Sequence, residues 1–238
     1  MKTVFSKKIK KALALLIVIV LFPYTFRAVL RLCAAASDGR SAFSLAFKAP
    51  EKGCALYIDL DRCLMKLFLN GKQYKAYPVS GGKNETPSPI GKWKITSIQS
   101  WGKGFGGCWL GLNVPFGTYG IHGTLKPDII GKSNVSGGCI RMKNRDIEEI
   151  KKLVSYGCPV YIKQDTLPFR VMQNGMIGSD VMNAQMLLRD MGFYSGSIDG
   201  KYGNILEQAV RNFQQTCGIP DDGIIGFQTY NLMRSSIE

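Results

Sequence analysis

The sequence predicts a chain of more than one domain, in which a mainly-β domain with one prominent helix precedes a smaller helical domain. Short runs of β-branched and aromatic residues, separated by Gly, Pro and Asn, occupy residues 55–163. From residue 179 onward, apolar side chains recur at helical spacing instead. The length of 238 residues and the hydrophobic content of 45% suit one medium and one small globular domain.

The formal net charge of +14 is unevenly distributed, and this distribution argues against nucleic acid as a partner. Half of it lies in residues 1–36, which carry seven Lys or Arg and no acid. The remaining basic residues are scattered, without an Arg-rich run or an RNA-binding motif. This diffuse surplus predicts attraction to a polyanionic surface.

Residues 1–36 are predicted to be an export signal, and residues 37–52 a linker. A Lys-rich flank precedes an apolar run at 12–26, which keeps the N-terminus in the cytoplasm and carries the remainder outward. Arg27 and Arg31 separate this run from the small residues at 34–36 that a signal peptidase needs. We therefore favour an uncleaved membrane anchor on the extracytoplasmic face of the cell envelope. A cleaved signal peptide and a secreted wall protein are the alternative.

Turn and breaker residues define the elements of the mainly-β domain, which is predicted to span 53–165. Asn70-Gly71 joins two β-prone runs and predicts a type I′ hairpin. A helix is predicted at 144–156, with Asn144 as its cap and Gly157 as its stop. The aromatic segment 101–109 is interpreted as a loop or paired edge, with ordinary packing favoured over a lid above a cleft. The predicted strands are 56–60, 64–69, 73–79, 92–98, 119–122 and 159–163.

Cys139 and His122, the only histidine in the chain, are the candidate catalytic pair. A thiol at neutral pH is mostly protonated, so a nucleophilic cysteine needs a neighbouring base, and imidazole is the usual one. Gly137 and Gly138 bring bare backbone amides next to the cysteine, as the oxyanion of an acyl transfer requires. The stretch 119–142 therefore predicts nucleophilic acyl-transfer chemistry.

Seven cysteines are present, and none shows the paired Cys-x-x-Cys spacing of a zinc site. We therefore predict neither a metal nor a cofactor. The odd count leaves at least one thiol unpaired, and Cys139 is the natural working nucleophile. A bridge between Cys54 and Cys63 is one option for the others, and burial as small apolar side chains is the favoured one.

Four segments resemble the L,D-transpeptidase family, whose catalytic domain is called the YkuD type. They are residues 86–91 (TPSPIG), 122–124 (HGT), 136–142 (SGGCIRM) and the hydrophobic helix that follows. The resemblance covers roughly residues 55–163 and implies a β-sandwich-like fold. It also implies enzymes that crosslink or edit bacterial peptidoglycan. They cut the bond before the terminal D-alanine of a tetrapeptide stem, form a thioester, and pass the acyl group to an amine of another stem.

Carried over residue by residue, the resemblance makes Cys139 the nucleophile and His122 the general base. The backbone carbonyl of Gly123 is expected to fix the imidazole tautomer, so that no acidic third member is required. The backbone amides of Gly138 and Cys139 are expected to form the oxyanion hole.

The substrate-binding set implied by the resemblance is Arg141, Ser136, Gly137 and Thr124. Arg141 is expected either to order the loop or to meet a substrate carboxylate. Gly137 is a departure from the family pattern, because many members carry a second histidine at that position.

Residues 166–174 are a predicted linker, and 175–238 form the helical domain. Ser179 or Asp180 is expected to cap a first helix, and Asn204 a second. The pattern Asp-Gly-x-x-Gly occurs at 199–203 and again at 222–226, each time directly before a helix. This echo predicts a two-fold structural device built on Asp-Gly turns, without the carboxylates of a calcium loop.

The helical domain resembles the peptidoglycan-binding domain family, a small three-helix module. The resemblance lies in residues 209–214 (AVRNFQ), the two Asp-Gly turns and residues 226–229. It implies a module that holds glycan or stem peptide and does no chemistry. Tyr194 and Tyr202 are weak ligand candidates beside the stronger interpretation of helix packing.

Together these features predict an L,D-transpeptidase that acts on peptidoglycan stem peptides and glycan, and that contacts the membrane through its N-terminal segment. Two alternatives stay open. One is an L,D-carboxypeptidase, in which water resolves the thioester and stems are trimmed. The other is a catalytically inactive wall-binding protein, and that alternative rests on Gly137.

Overall fold

The computed structural model describes residues 47–236 of the chain. The predicted export signal and most of the predicted linker after it lie outside this range, and they stay predictions. Within the range that is described, no helix is both long enough and apolar enough to cross a bilayer.

Eight strands form a closed barrel in the order β1-β2-β3-β7-β6-β5-β4-β8. The mainly-β prediction is therefore confirmed. The expected sandwich-like form is refined. The strands form two sheets, and β3 and β4 each have one neighbour in either sheet, which joins the two sheets into one closed barrel. The strands are β1 (Cys54–Asp59), β2 (Leu64–Leu69), β3 (Lys72–Ser80), β4 (Gly91–Gln99), β5 (Trp109–Leu112), β6 (Gly120–His122), β7 (Ile140–Met142) and β8 (Pro159–Lys163).

The predicted type I′ hairpin joins β2 to β3. Asn70 has φ 49° and Gly71 has φ 79°, and positive φ at both central residues is what this turn requires. The Asn70 side chain also accepts a hydrogen bond of 2.9 Å from the backbone N–H of Gly53. The turn therefore sets the register that pairs Leu69 with Lys72.

Two strand pairs in the barrel are parallel, and sequence reasoning missed a member of one of them. β1 pairs with β8, which joins the first strand to the last. β6 pairs with β7, and β7 contains only three residues, too few for a pattern to show. The four-residue β5 was also missed and lies where the aromatic loop was expected to end.

Helix α1 (Asn144–Lys151) is shorter than predicted. Ile147 and Ile150 are buried against the barrel as the pattern indicated. The helix ends before Tyr156 because the chain turns back: Gly157 has φ 81° and its N–H donates to the carbonyl of Ile95 in β4. The predicted cap is also wrong, because Lys143 occupies the N-cap position and makes no side-chain capping bond.

The second domain contains three helices, α2 (Ser179–Asp190), α3 (Asn204–Cys217) and α4 (Phe227–Ser235). The predicted side-chain caps are wrong here too, since Gly178 and Gly203 occupy the N-cap positions. The carboxylate of Asp180 instead accepts two hydrogen bonds of 2.8 Å from Arg170. These interactions secure the segment before α2 to the start of that helix.

The echo of Asp-Gly turns corresponds to a repeated hydrogen-bond arrangement around a buried glutamine. At the first turn, Gln185 donates to the carboxylate of Asp199 at 2.9 Å and accepts from the N–H of Gly200 at 2.8 Å. Gly200 has φ 68°, which favours glycine.

The second turn repeats these contacts around Gln214, which donates to Asp222 at 2.8 Å and accepts from the N–H of Gly223 at 2.9 Å. Gln185 and Gln214 are both buried. The predicted two-fold device is present, and the two glutamines at its centre were missed because glutamine in a helix ordinarily faces solvent.

We expect Gln214→Leu to lower the free energy of unfolding by about 2 kcal/mol, because the turn amide of Gly223 and the carboxylate of Asp222 lose a buried partner. Urea denaturation of the full chain, followed by circular dichroism, measures this. Gln208→Leu is the matched control, since Gln208 is an exposed residue of the same helix. Equal destabilisation by both variants would contradict the proposed role of Gln214.

Candidate active site

The parallel pairing of β6 with β7 brings the two candidate catalytic residues together. Ile121 lies opposite Ile140, and His122 lies opposite Arg141. Extending this register by one place puts Cys139 beside Gly120. Because alternate residues of a strand share a face, His122, Cys139 and Arg141 lie on the same face of this pair.

Gly120 packs closely against the neighbouring strand β5. A Cβ atom at this position would lie 2.7 Å from the carbonyl oxygen of Leu110, closer than any side chain tolerates. The Gly120 backbone lowers the pKa of the Cys139 thiol and so favours the thiolate. Sequence reasoning missed Gly120, although a glycine inside a short strand is a signal of close approach.

The imidazole of His122 is buried and is oriented by the predicted backbone contact. Its Nδ1 lies 2.6 Å from the carbonyl oxygen of Gly123. A carbonyl oxygen only accepts hydrogen bonds, so Nδ1 carries the proton and Nε2 keeps its lone pair. That is the tautomer that a general base needs.

Gly123 is itself held by the residues around it. Its N–H donates to the carbonyl of Phe105 at 3.0 Å. A Cβ atom on Gly123 would lie 2.9 Å from the Cα of Gly106, so the two backbones are in close contact. The next amide, of Thr124, donates to the side-chain oxygen of Asn144 at 2.8 Å. Asn144 thus leaves its expected capping role and fixes the segment after the base.

Aromatic rings from the segment 101–109 pack against the imidazole. Trp101 stacks on Trp109 with ring centroids 4.3 Å apart, and Phe105 meets the His122 ring at 5.0 Å in an edge arrangement. Trp109 is buried, whereas Phe105 is 38% exposed. Packing was the favoured interpretation of this segment, and the structure adds that the packing partner is the candidate base.

Ser136 organises the loop that carries the cysteine. Its hydroxyl donates to the carbonyl of Cys139 at 2.6 Å and accepts from the N–H of Gly138 at 3.0 Å. Its backbone bonds to Gly81 and Lys83 in the Pro/Gly-rich loop. Ser136 is buried. Its hydroxyl is therefore engaged within the loop, and its expected contact with substrate stays a prediction.

The two glycines before the cysteine differ in what they permit. Gly138 has φ 120°, and a Cβ there would lie 2.7 Å from the Tyr119 ring, so a side chain is excluded. Its amide is already bound to Ser136, which argues against its predicted place in the oxyanion hole. A Cβ on Gly137, in contrast, meets nothing within 4 Å.

Burial favours the neutral form of both candidate residues. It raises the pKa of the Cys139 thiol above its ordinary value, and the Gly120 backbone and the positive charge of Arg141 oppose that rise. Burial lowers the pKa of His122, and its bond to the Gly123 carbonyl opposes that fall. Both shifts favour the uncharged form, the thiol of Cys139 and the neutral imidazole of His122.

Arg141 and Thr124 border the site in different ways. Arg141 is half-buried, and no carboxylate of residues 47–236 lies within ion-pairing distance of its guanidinium. Thr124 is buried and its hydroxyl accepts a bond of 3.1 Å from the N–H of Lys126. Thr124 and Asn144 line an open cavity of about 680 Å³ together with Lys143 and Arg145, and neither His122 nor Cys139 lines it.

Comparison with known proteins places this arrangement in a family. Residues 55–162 match the sequence model of the L,D-transpeptidase catalytic domain. YqjB of Bacillus subtilis, provisionally named an L,D-transpeptidase, is 30% identical over 122 residues, which cover 44% of this chain and 68% of that protein. The chain belongs to the L,D-transpeptidase family. Residues 177–233 match the model of a peptidoglycan binding domain.

Other members of the family resemble this chain over part of their length. YkuD of Bacillus subtilis, also provisionally named an L,D-transpeptidase, is 43% identical over 101 residues, which cover 42% of this chain and 60% of that protein. The chain thus spans about three fifths of that relative. The crystal structure of L,D-transpeptidase 3 from Mycobacterium tuberculosis is 17% identical, with a TM-score of 0.43, and the match covers 47% of this chain and 61% of that one.

The spore cortex-lytic enzyme of Bacillus subtilis is 38% identical over 81 residues, which cover 32% of this chain and 27% of that enzyme. A solved structure of the SleB N-terminal domain is 38% identical with a TM-score of 0.29, and the match covers 29% of this chain and 94% of that domain.

We expect Arg141→Ala to shift the alkylation of Cys139 to higher pH, because the guanidinium lowers the pKa of this thiol and its loss lets burial act unopposed. The rate of iodoacetamide modification of the peptide that contains Cys139, followed by mass spectrometry across pH, measures the shift. Arg145→Ala, on the exposed face of α1, should leave the profile unchanged. Coincident profiles for Arg141→Ala and the wild type would refute the electrostatic contribution of Arg141.

Proposed function

We propose that the protein is an L,D-transpeptidase that crosslinks or edits peptidoglycan through a thioester on Cys139. The observation that carries the proposal is the 2.6 Å contact between His122 Nδ1 and the Gly123 carbonyl, which leaves Nε2 basic on the face that Cys139 shares. The buried setting supports attack by a thiol that loses its proton only as it reacts.

In the first half-reaction, Sγ of Cys139 attacks the carbonyl carbon that precedes the terminal D-alanine of a tetrapeptide stem. The thiol proton passes to Nε2 of His122 as the carbon–sulfur bond forms. When the carbon–nitrogen bond breaks, the same proton passes to the leaving amine, and D-alanine departs. The product is a thioester and a neutral imidazole, ready for the second step.

In the second half-reaction, an amine of another stem attacks the thioester carbon. His122 takes a proton from this amine, the carbon–sulfur bond breaks, and the proton returns to the sulfur. The two stems are then joined by a new amide. The developing oxyanion needs backbone donors, and the Cys139 amide is the proposed one, since Gly138 is bound to Ser136.

Arg141 is the proposed contact for a carboxylate of the stem. Its charge lowers the pKa of Cys139, so it lies on the same side of the site as the nucleophile. It is without an ion-pair partner among residues 47–236, which leaves the guanidinium available to an anionic ligand. Gly137 and Thr124 are the proposed uncharged borders of the acceptor side.

The helical domain is proposed to hold glycan or stem peptide while the barrel does the chemistry. Binding of the same polymer by a linked module raises the local concentration of stems at the active site without new contacts there. This division of roles fits a protein on the outer face of the cell envelope, anchored by its N-terminal segment or secreted to the wall.

Hydrolysis of the thioester is a second candidate, because a specific feature favours access of water. The open space at Gly137 lies two residues from the nucleophile, where many relatives carry histidine. Water can resolve the thioester without a binding pocket of its own, so open space near the nucleophile is enough to admit it. Crosslinked dimers as products indicate transpeptidation, and tripeptide stems alone indicate the L,D-carboxypeptidase.

We expect Cys139→Ala to abolish D-alanine release from tetrapeptide stems, and His122→Ala to slow it by about 10² to 10⁴. Mass spectrometry of the products made by the full chain in detergent measures both. Cys63→Ala is the matched control, because this thiol bonds to Asn134 and the Leu60 carbonyl and is not one of the candidate pair. Release by Cys139→Ala at the wild-type rate would end the proposal.

Gly137→His should fold and keep D-alanine release within about tenfold of wild type, because space for a side chain exists there and binding losses at one position are usually small. Gly138→His is the contrast: its positive φ and the Tyr119 ring exclude a side chain, so activity should be lost. Capture of a carbapenem as a mass adduct on Cys139 measures site integrity in each. A wild-type chain that gives neither adduct nor D-alanine would support the inactive wall-binding alternative.

A further inference from the structure

Two cysteines outside the active site lie opposite each other where the barrel closes. β1 and β8 pair in parallel, with Leu56 opposite Val160 and Ile58 opposite Ile162. Extending this register by two places sets Cys54, the first residue of β1, opposite Cys158. The Cys158 backbone still lies beside β4 at this level, since its carbonyl accepts a bond of 3.0 Å from the N–H of Ile95.

The two side chains are buried in the same core. Cys54 is 8% exposed and Cys158 is 3% exposed, and both belong to the apolar cluster inside the barrel. Burial raises the pKa of the Cys158 thiol, and the neighbouring thiol of Cys54 raises it further. Paired positions on neighbouring strands have the Cα separation that a disulfide spans.

The pairing that the sequence offered as an option, Cys54 with Cys63, is contradicted. Cys54 lies opposite Leu69 at one end of the β1–β2 hairpin. Cys63 lies beyond the other end, where Asp59 is opposite Leu64, and its thiol contacts the side chain of Asn134. Six-residue strands separate these ends by roughly 20 Å, far beyond the reach of a disulfide.

We propose that Cys54 and Cys158 form a disulfide bond that joins the first and last strands of the barrel when the protein folds in an oxidising environment. The inference is independent of the reaction at Cys139 and needs only an oxidant that is itself a disulfide. A thiolate of one cysteine attacks that oxidant, whose sulfur–sulfur bond breaks and releases one thiol. The second cysteine attacks the mixed disulfide, forms the Cys54–Cys158 bond and releases the other thiol.

The bond has a clear mechanical role. It closes a loop of about 100 residues, and long loops give the largest loss of unfolded-state entropy in the chain-entropy description of disulfides. It also strengthens the pairing of β1 with β8, which joins the first strand of the barrel to the last. Because both thiols are buried, the bond forms during folding, before the barrel excludes the oxidant.

The test is oxidative refolding of the full chain in detergent with a mixture of reduced and oxidised glutathione. Free thiols are then alkylated with iodoacetamide under denaturing conditions, and the protein is cut with trypsin without reduction. Residues 53–62 and 153–163 are the tryptic peptides that contain the two cysteines. We expect one cross-linked species of both peptides, lighter by two hydrogen atoms than their sum, which separates on reduction.

Alkylation of both peptides as separate species after oxidative refolding would overturn the proposal, and so would linkage of either cysteine to Cys63 or Cys139. A second measurement uses the melting temperature of the refolded protein with and without dithiothreitol. Reduction should lower the wild-type value by roughly 10 °C. Cys63→Ala should show the same fall, whereas Cys54→Ala and Cys158→Ala should show none. An unchanged wild-type melting temperature on reduction would also count against the bond.

Discussion

The parallel pairing of β6 with β7 is the constraint on which the rest of the active site depends. It puts His122 and Cys139, which are 17 positions apart in the sequence, on one face of two adjacent strands. Strands of three residues are too short to hold this register alone. The register is maintained because β6 and β7 each have a neighbouring strand on both sides in the closed barrel. The remaining strands supply most of the buried core.

Around this pair, the protein positions its functional groups mainly with backbone. The imidazole is oriented by a carbonyl, the thiol is met by the Gly120 backbone, and the nucleophile loop is organised by the Ser136 hydroxyl. Backbone groups approach this closely only where side chains are absent, which explains the excluded Cβ positions at Gly120 and Gly138. Buried polar groups of this kind are rigid because each has its partner nearby.

Burial shifts the pKa values of the two candidate catalytic residues, Cys139 and His122, in opposite directions. It raises the pKa of the Cys139 thiol and lowers that of the His122 imidazole, which favours the uncharged form of each. A thiolate–imidazolium ion pair would place two charges in this buried site, and the cost of removing them from water can exceed their mutual attraction. The positive charge of Arg141 opposes the effect of burial on Cys139, because it favours the thiolate over the thiol.

The sequence alone determined the mainly-β fold, the Asn70-Gly71 turn, the identity of the candidate pair and the family, because these depend on local turn chemistry and on rare residues in a fixed order. Only the tertiary structure decided what each polar group binds. Asn144 looked like a helix cap and instead holds the Thr124 amide, and Ser136 orders its loop. The pairing of Cys54 with Cys158 was likewise invisible, because strand register across about 100 residues follows from barrel closure and leaves no local pattern.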